Sequence, residues 1–127
     1  MILNAGLAGV MDLAFDVNSI AVFDYIAVGT GTTAAAATDT ALGTEVTDSG
    51  LARVQVTPTL ETTTTTDDTG QVTNTFTVTG TKTLGEIGVC NAAAAGTFLI
   101  RSVLSPTKSV SNGDSYTLTI KHVQARA

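Results

Sequence analysis

From Thr73 to Thr83 every second residue is a threonine, and Val72, Phe76 and Val78 take the alternate positions. A period of two places alternate side chains on opposite faces of an extended strand. A helix repeats every 3.6 residues and would scatter the same set around its circumference. Threonine is β-branched and fits a pleated, half-wet surface, so one apolar and one hydroxyl-bearing face are expected here. About a fifth of the 127 residues are threonine, which extends the bias toward strands to the whole chain.

Other segments share that period. Residues 21–28 (AVFDYIAV), 51–62, 71–83, 84–90 (LGEIGVC), 97–104 (TFLIRSVL) and 115–123 read as strands. The last of these puts Tyr116, Leu118, Ile120 and His122 on one face. Pro58 points to an edge or bulge because it has no N–H to give to a ladder. Ser105–Pro106 interrupts the pattern, Asn112–Gly113 is a strong two-residue turn signal, and Asp67, Asp68 and Gly70 mark another turn. Short strands at even spacing predict an all-β fold, an antiparallel sandwich or jelly-roll-like barrel. Residues 51–62 and 71–83 are expected to form a projecting hairpin with its tip near 60–72. Residues 29–50 show no period and exceed the length of an ordinary connection, as loops with a partner to contact often do.

The first twenty residues differ. Asn4 is a candidate N-cap, and Leu3, Leu7, Val10, Met11 and Ala14 recur at helical spacing. A helix over 4–14 is marginal alone, so its apolar stripe must lie on the domain or on a neighbour. The expected organisation is an arm over 1–20 and a single β domain over 21–127.

Composition excludes several functions. Only 13% of residues are charged and the net charge is −5. That sign repels phosphate and lacks a polybasic membrane contact, so neither nucleic acid nor membrane is an expected partner. The apolar start has no positive n-region and no A-x-A site, so no export address is expected. Cys90 is the single cysteine; it forms no intrachain disulfide and sits in an apolar run as a small hydrophobe. The one histidine, His122, has no nucleophile marked by a known signature. GTGTTA at 29–34 matches the loose dinucleotide pattern but lacks the helix of a βαβ unit, leaving a glycine-rich turn. Asp67 and Asp68 lack calcium-loop spacing. The threonine row resembles an ice-binding array on one strand only. No catalytic residue, metal, cofactor or small-molecule substrate is expected.

Glu86 and Arg101 stand out because each interrupts an apolar strand, where a lone buried charge is costly. Strands joined by the 91–96 loop would bring them together across the ladder. Arg53 is a second candidate partner for Glu86.

Several stretches, in order, resemble a group of small tailed-phage structural proteins. They are Asn4 to Leu7, Tyr25 to Val46 (YIAVGTGTTAAAATDTALGTEV), Glu86 to Val89, Gly96 to Arg101 and the closing Ser115 to His122. Such proteins serve as capsid decoration (cement) proteins, head fibres, tail fibres, and collar or baseplate parts. The resemblance implies a virion component assembled in the host cytoplasm, with no enzymatic activity. Its implied partners are copies of itself, as a homotrimer, and the major capsid protein or other virion proteins. Capsid decoration is the expected role, with a tail-fibre, collar or baseplate adaptor next and a secreted adhesin-like β module third. Contacts are expected at Leu3, Leu7, Val10 and Met11 of the arm, and at Thr32, Leu42 and Glu45 of the long loop.

Overall fold

The computed structural model describes residues 1–125. Among them, helix α1 (Asn4–Phe15) precedes strands β1 (Tyr25–Gly29), β2 (Val54–Gln55), β3 (Thr59–Glu61), β4 (Thr69–Thr77), β5 (Lys82–Cys90), β6 (Phe98–Val110) and β7 (Ser115–Val123). The strands form two antiparallel sheets, ordered β2-β1-β5-β6 and β3-β4-β7, and the fold is an all-β sandwich.

One long antiparallel ribbon accounts for most of it. β4 pairs with β7 from Thr69↔Val123 to Thr77↔Ser115, and β5 pairs with β6 from Lys82↔Val110 onward. Five positions separate these two rungs on either strand, so the register passes unbroken from one sheet into the other. The ribbon is a single hairpin with its tip at 91–97, folded over a corner at 78–81 and 111–114. There the Val78 amide donates to the Asp114 carbonyl at 2.8 Å and the Gly113 amide to the Val78 carbonyl at 2.9 Å. The turn expected at Asn112–Gly113 is present, with Gly113 at φ 92. It is a corner between sheets and not a hairpin loop, because β6 and β7 do not pair.

Burial explains why the ribbon folds over. Val72, Phe76, Leu118 and Ile120 of one half face Leu84, Val89, Ile100 and Val110 of the other, with Ile26, Val28, Val46 and Leu51 completing the core. Phe76 and Tyr116 stack across the β4–β7 pair at 6.5 Å between centroids, within the favourable range for aromatic pairs. The threonines point outward. Thr73 and Thr119, and Thr75 and Thr117, join hydroxyl to hydroxyl at 2.9 Å.

Several sequence expectations are corrected. Residues 51–62 do not make one strand: the segment crosses between sheets around Pro58, giving β2 in one and β3 in the other. The expected long hairpin shrinks to three rungs between β3 and β4, because the nine-residue partner of β4 is β7. Strand β6 does not end at residue 104. Leu84 opposes Lys108 whereas Glu86 opposes Val103, so β6 carries surplus residues around Ser105–Pro106 as a bulge and resumes pairing to Val110.

The arm is also docked differently. Leu3, not Asn4, is the N-cap, and no side chain caps the helix. Without acidic residues in its first turn or basic ones in its last, α1 depends on packing. It packs through Gly6 and Gly9 rather than through the stripe of larger residues. A Cβ on Gly6 would lie 2.5 Å from the Leu99 carbonyl oxygen, so only glycine allows this approach. Ahead of the helix, residues 1–3 extend the edge of β6: the Leu3 amide donates to Leu99 O at 3.0 Å and the Arg101 amide to Met1 O at 3.1 Å. Leu3 is wholly buried in a second small core with Ala27, Leu42, Cys90 and Phe98, on the outer face of the β5-containing sheet.

Truncating Leu3 should therefore unfold the domain more readily. Leu3→Ala is expected to cost about 2–5 kcal/mol, in the usual range for buried leucines. Leu7→Ala, at a position 53% exposed, should shift stability by less than about 1 kcal/mol. Urea midpoints of the two variants check this.

Candidate functional site

The long loop 29–50 is organised by one buried carboxylate. Glu86 projects from the outer face of β5 with its side chain 0% exposed. Oε1 accepts from the Gly31 amide at 3.1 Å and the Thr44 amide at 2.6 Å. Oε2 accepts from the Gly43 amide at 2.9 Å and from Arg101 Nε at 2.8 Å. A Cβ on Gly29 or Gly31 would fall 2.5 Å from Oε1. The G-T-G motif thus makes room for a side chain of the same protein.

Arg101, from β6, fills its remaining donors with the same loop. Nη1 donates to Asp39 Oδ2 at 2.8 Å and Nη2 to the Thr33 carbonyl at 2.9 Å. Asp39 in turn accepts from the Ala36 amide at 2.9 Å. Every buried side-chain polar atom among the described residues has a partner. That completeness is what makes a buried ion pair tolerable, since removing one member strands the other. Burial alone would raise the Glu86 carboxyl, but the Thr44 and Gly43 amides and the Arg101 charge outweigh it, so its pKa is lowered. The Asp39 carboxyl is lowered chiefly by the Ala36 amide, against some desolvation and with help from Arg101.

Arg53 does not reach Glu86. It grips Glu45 with two bonds, Nε to Oε2 at 2.7 Å and Nη2 to Oε1 at 2.9 Å. Its Nη1 donates to the carbonyls of Ala92 and Ala95 at 2.9 and 2.8 Å, and its guanidinium lies 4.9 Å from the centroid of the Phe98 ring. Arg53 therefore ties the ribbon tip to the end of the long loop. Cation–π and bidentate contacts act together there.

Of the residues expected at an interface, Leu3 and Leu42 are buried within the chain, so these two are corrected, while Glu45 is held by Arg53 with its side chain 21% exposed. The long loop faces inward because Glu86 and Arg101 bind its backbone. Val10 is half-buried against the core, Thr32 is exposed, and Leu7 and Met11 stand outward at 53% and 56% exposure. Phe15 and Val17, which the sequence reading did not single out, are each 71% exposed. Met11 joins two shallow apolar grooves, one with Leu7, Val10 and Val123, the other with Phe15 and Val17.

The tip near Asp67 and Asp68 is a closed loop. The Asp68 carboxylate accepts from the amides of Thr63, Thr64 and Thr65 at 2.8–2.9 Å and from the Thr69 hydroxyl at 2.8 Å. The Thr65 and Thr63 amides, foremost, hold its pKa far below the usual carboxylate range. Among the described residues no three His, Cys, Asp or Glu side chains are grouped to hold a metal ion, and no helix is long and apolar enough to cross a membrane. Between the sheets at the end away from the corner lies an apolar gap of about 110 Å³, bordered by Phe23, Val72, Leu99 and His122.

Comparison with known proteins supplies the context for this geometry. A family model described as podophage GP4 fiber I protein gp80 matches residues 8–126. The chain belongs to this fibre family. It is a structural component of a tailed-phage virion, and the match runs from α1 through the closing strand. No curated protein and no solved structure matches it. The stretch Asn4 to Leu7 lies ahead of the matched range.

The buried pair yields two predictions. Glu86→Ala leaves Arg101 without its buried partner and should cost about 3–5 kcal/mol, by analogy with other broken buried pairs; thermal or urea unfolding measures it. Acid should also loosen the fold. Glu86 has a folded pKa below its ordinary 4.5 and Asp39 below 3.8, so both stabilise fully above those values and lose that contribution as pH falls through the lower folded ones. Unfolding midpoints are expected to be flat from about pH 7 to 5 and to decline below about pH 4.5. Glu86→Gln should flatten part of that decline.

Proposed function

We propose that this protein is a non-catalytic fibre subunit that attaches to the rest of the virion through the outer face of α1, with the β sandwich carried away from the attachment point. The carrying observation is the distribution of exposed apolar side chains in a member of a fibre family. Seven of the nine large hydrophobics exposed among the described residues lie within residues 1–22. Leu7, Met11, Phe15 and Val17, together with Val123 beside them, offer on the order of 500 Å² of apolar surface. That is the upper end of what a monomer ordinarily leaves in water. It approaches the roughly 800 Å² per partner of a standard interface.

The partner that fits is another virion protein presenting an apolar groove. The helix outer face bears little charge: Asp12 is engaged by the Asn18 amide and side chain at 2.8–2.9 Å. Capsid decoration, the role expected from the sequence, is the less favoured reading, because the family that matches is a fibre protein. The major capsid protein is then a partner only in that second reading.

Copy number distinguishes the two. Quantitative mass spectrometry of purified particles should give a few to a few dozen copies, and hundreds would favour decoration. Deleting residues 2–14 would remove Leu3 from the core, so substitutions make the sharper test. Met11→Glu with Phe15→Ser should leave the unfolding midpoint within a few degrees of wild type and reduce incorporation into particles at least tenfold. Undiminished incorporation of the folded variant would exclude α1 as the attachment.

A further inference from the structure

We propose that two copies of this chain pair along β7, antiparallel across a two-fold axis, and so merge their three-stranded sheets into one. The observation behind it is that β7 is a nine-residue edge strand with no strand on its outer side. Edge strands expose N–H and C=O groups that template another strand, and proteins ordinarily blunt them by shortness, coverage, bulges, proline or charge. The other three edge strands show such devices, although beyond the three rungs of β3 the far side of β4 from Val72 to Phe76 has no strand partner either. β2 has two residues and β3 has three. The β6 edge is covered at Leu99 and Arg101 by Met1 and Leu3, and beyond that carries the bulge with Pro106 and Lys108.

β7 has none of these. Its nine residues pair with β4 without a register shift, and they contain no proline and a single lysine, Lys121. Alternate residues of an antiparallel edge direct their N–H and C=O away from the neighbouring strand. Among the described residues, no backbone group of Ser115–Val123 has a hydrogen-bond partner beyond β4.

A second β7 is the occupant that fits best, because the strand is self-complementary in one register. With Thr119 opposite Thr119 of the second copy, all nine residues pair. Leu118 then faces Ile120, Tyr116 faces His122, and Thr117 faces Lys121. Inward residues meet inward residues, outward residues meet outward ones, and Thr119 meets Thr119 hydroxyl to hydroxyl. A one-residue slip would set the apolar face of one strand against the polar face of the other. A slip that centred the axis on Lys121 would oppose two ammonium groups. In the full register the hydroxyl row from Thr73 to Thr119 continues across the axis to Thr119 and Thr73 of the second copy.

Such an interface is isologous and yields even-numbered assemblies, unlike the homotrimer expected from the sequence. The α1 groove that includes Val123 borders one end of β7. Antiparallel pairing therefore places the two α1 faces at opposite ends of the joined sheet. The pairing stands whether or not α1 is the attachment to the virion.

A charge pair at Thr117 tests it by sedimentation analysis of the full chain. Thr117 is exposed, and Lys121 of its own strand is four residues away on the same face, so the charges meet closely only between copies. Thr117→Lys should weaken self-association at least tenfold, and Thr117→Glu should strengthen it. Thr75→Lys, exposed on the same face but one strand further in, should change it less than threefold. Far-ultraviolet circular dichroism and thermal unfolding confirm that each variant is folded. A wild-type chain that is monomeric throughout or trimeric would overturn the proposal. So would Thr117 variants that shift association in the same direction or not at all.

Discussion

The carboxylate of Glu86 is surrounded by donors from three parts of the chain: the amide of Gly31, those of Gly43 and Thr44, and the guanidinium of Arg101. A lone carboxylate in this position would be prohibitive, and a carboxylate with only Arg101 would leave acceptor sites empty. The amides come from a segment that has almost no regular structure of its own. The charge therefore converts a loop without hydrophobic periodicity into a fixed layer over the sheet. The same layer closes the second small core, since Leu42 precedes Gly43 and packs with Leu3, Ala27, Cys90 and Phe98. Loop, N-terminal strand and outer core thus depend on a single ionised group. This arrangement also explains the glycines at 29 and 31: backbone must approach the carboxylate there more closely than a side chain would permit.

Much of this was legible in the residues. Period-two alternation identified the strand faces of β4 and β7 correctly, down to Val72, Phe76, Leu118 and Ile120 as core, because side-chain direction in a strand is a local property. Charges placed inside otherwise apolar strands singled out Glu86 and Arg101, which the structure brings to 2.8 Å. What the pattern did not contain was sheet membership. Nothing in 78–81 or 111–114 distinguishes a corner from a hairpin end, so the ribbon was read as separate strands. The fold-over is decided by which apolar faces meet, which is a non-local matter. The helix over 4–14 is present, but which of its faces meets the domain was not legible, for a related reason. Large apolar residues at helical spacing usually mark the buried face, yet here close approach to β6 selects Gly6 and Gly9, and the stripe at Leu7 and Met11 is turned out. Asp39 and the Arg53–Glu45 pair were missed because they sit on loops, where spacing carries no directional information.

The outward stripe is informative because it runs against the ordinary rule. A chain that folded only for its own stability would bury Leu7, Met11 and Phe15 and leave the glycines in water. The reverse arrangement uses the smallest residues to dock the helix and leaves the large ones in water, as the proposed attachment through α1 requires. β7 follows the same logic in backbone form. The other edge strands are shortened, covered or bulged, whereas β7 keeps its full nine-residue length open on its outer side.

Scarcity of charge links these features. Only 13% of the residues are charged, and several of the strongest pairs, Glu86 with Arg101 and Arg53 with Glu45, are directed inward to hold loops. Little charge is left to guard strand edges or to interrupt apolar patches, which are the usual means by which a soluble protein avoids its own copies. For a freely diffusing monomer this would be a hazard. A subunit whose working state is an assembled particle faces the opposite requirement: its surfaces must be rigid and weakly charged so that contacts form in a fixed geometry. The buried ion pairs supply that rigidity without drawing on the surface, and the same economy of charge leaves the apolar stripe of α1 and the edge of β7 uninterrupted, which suits a virion component.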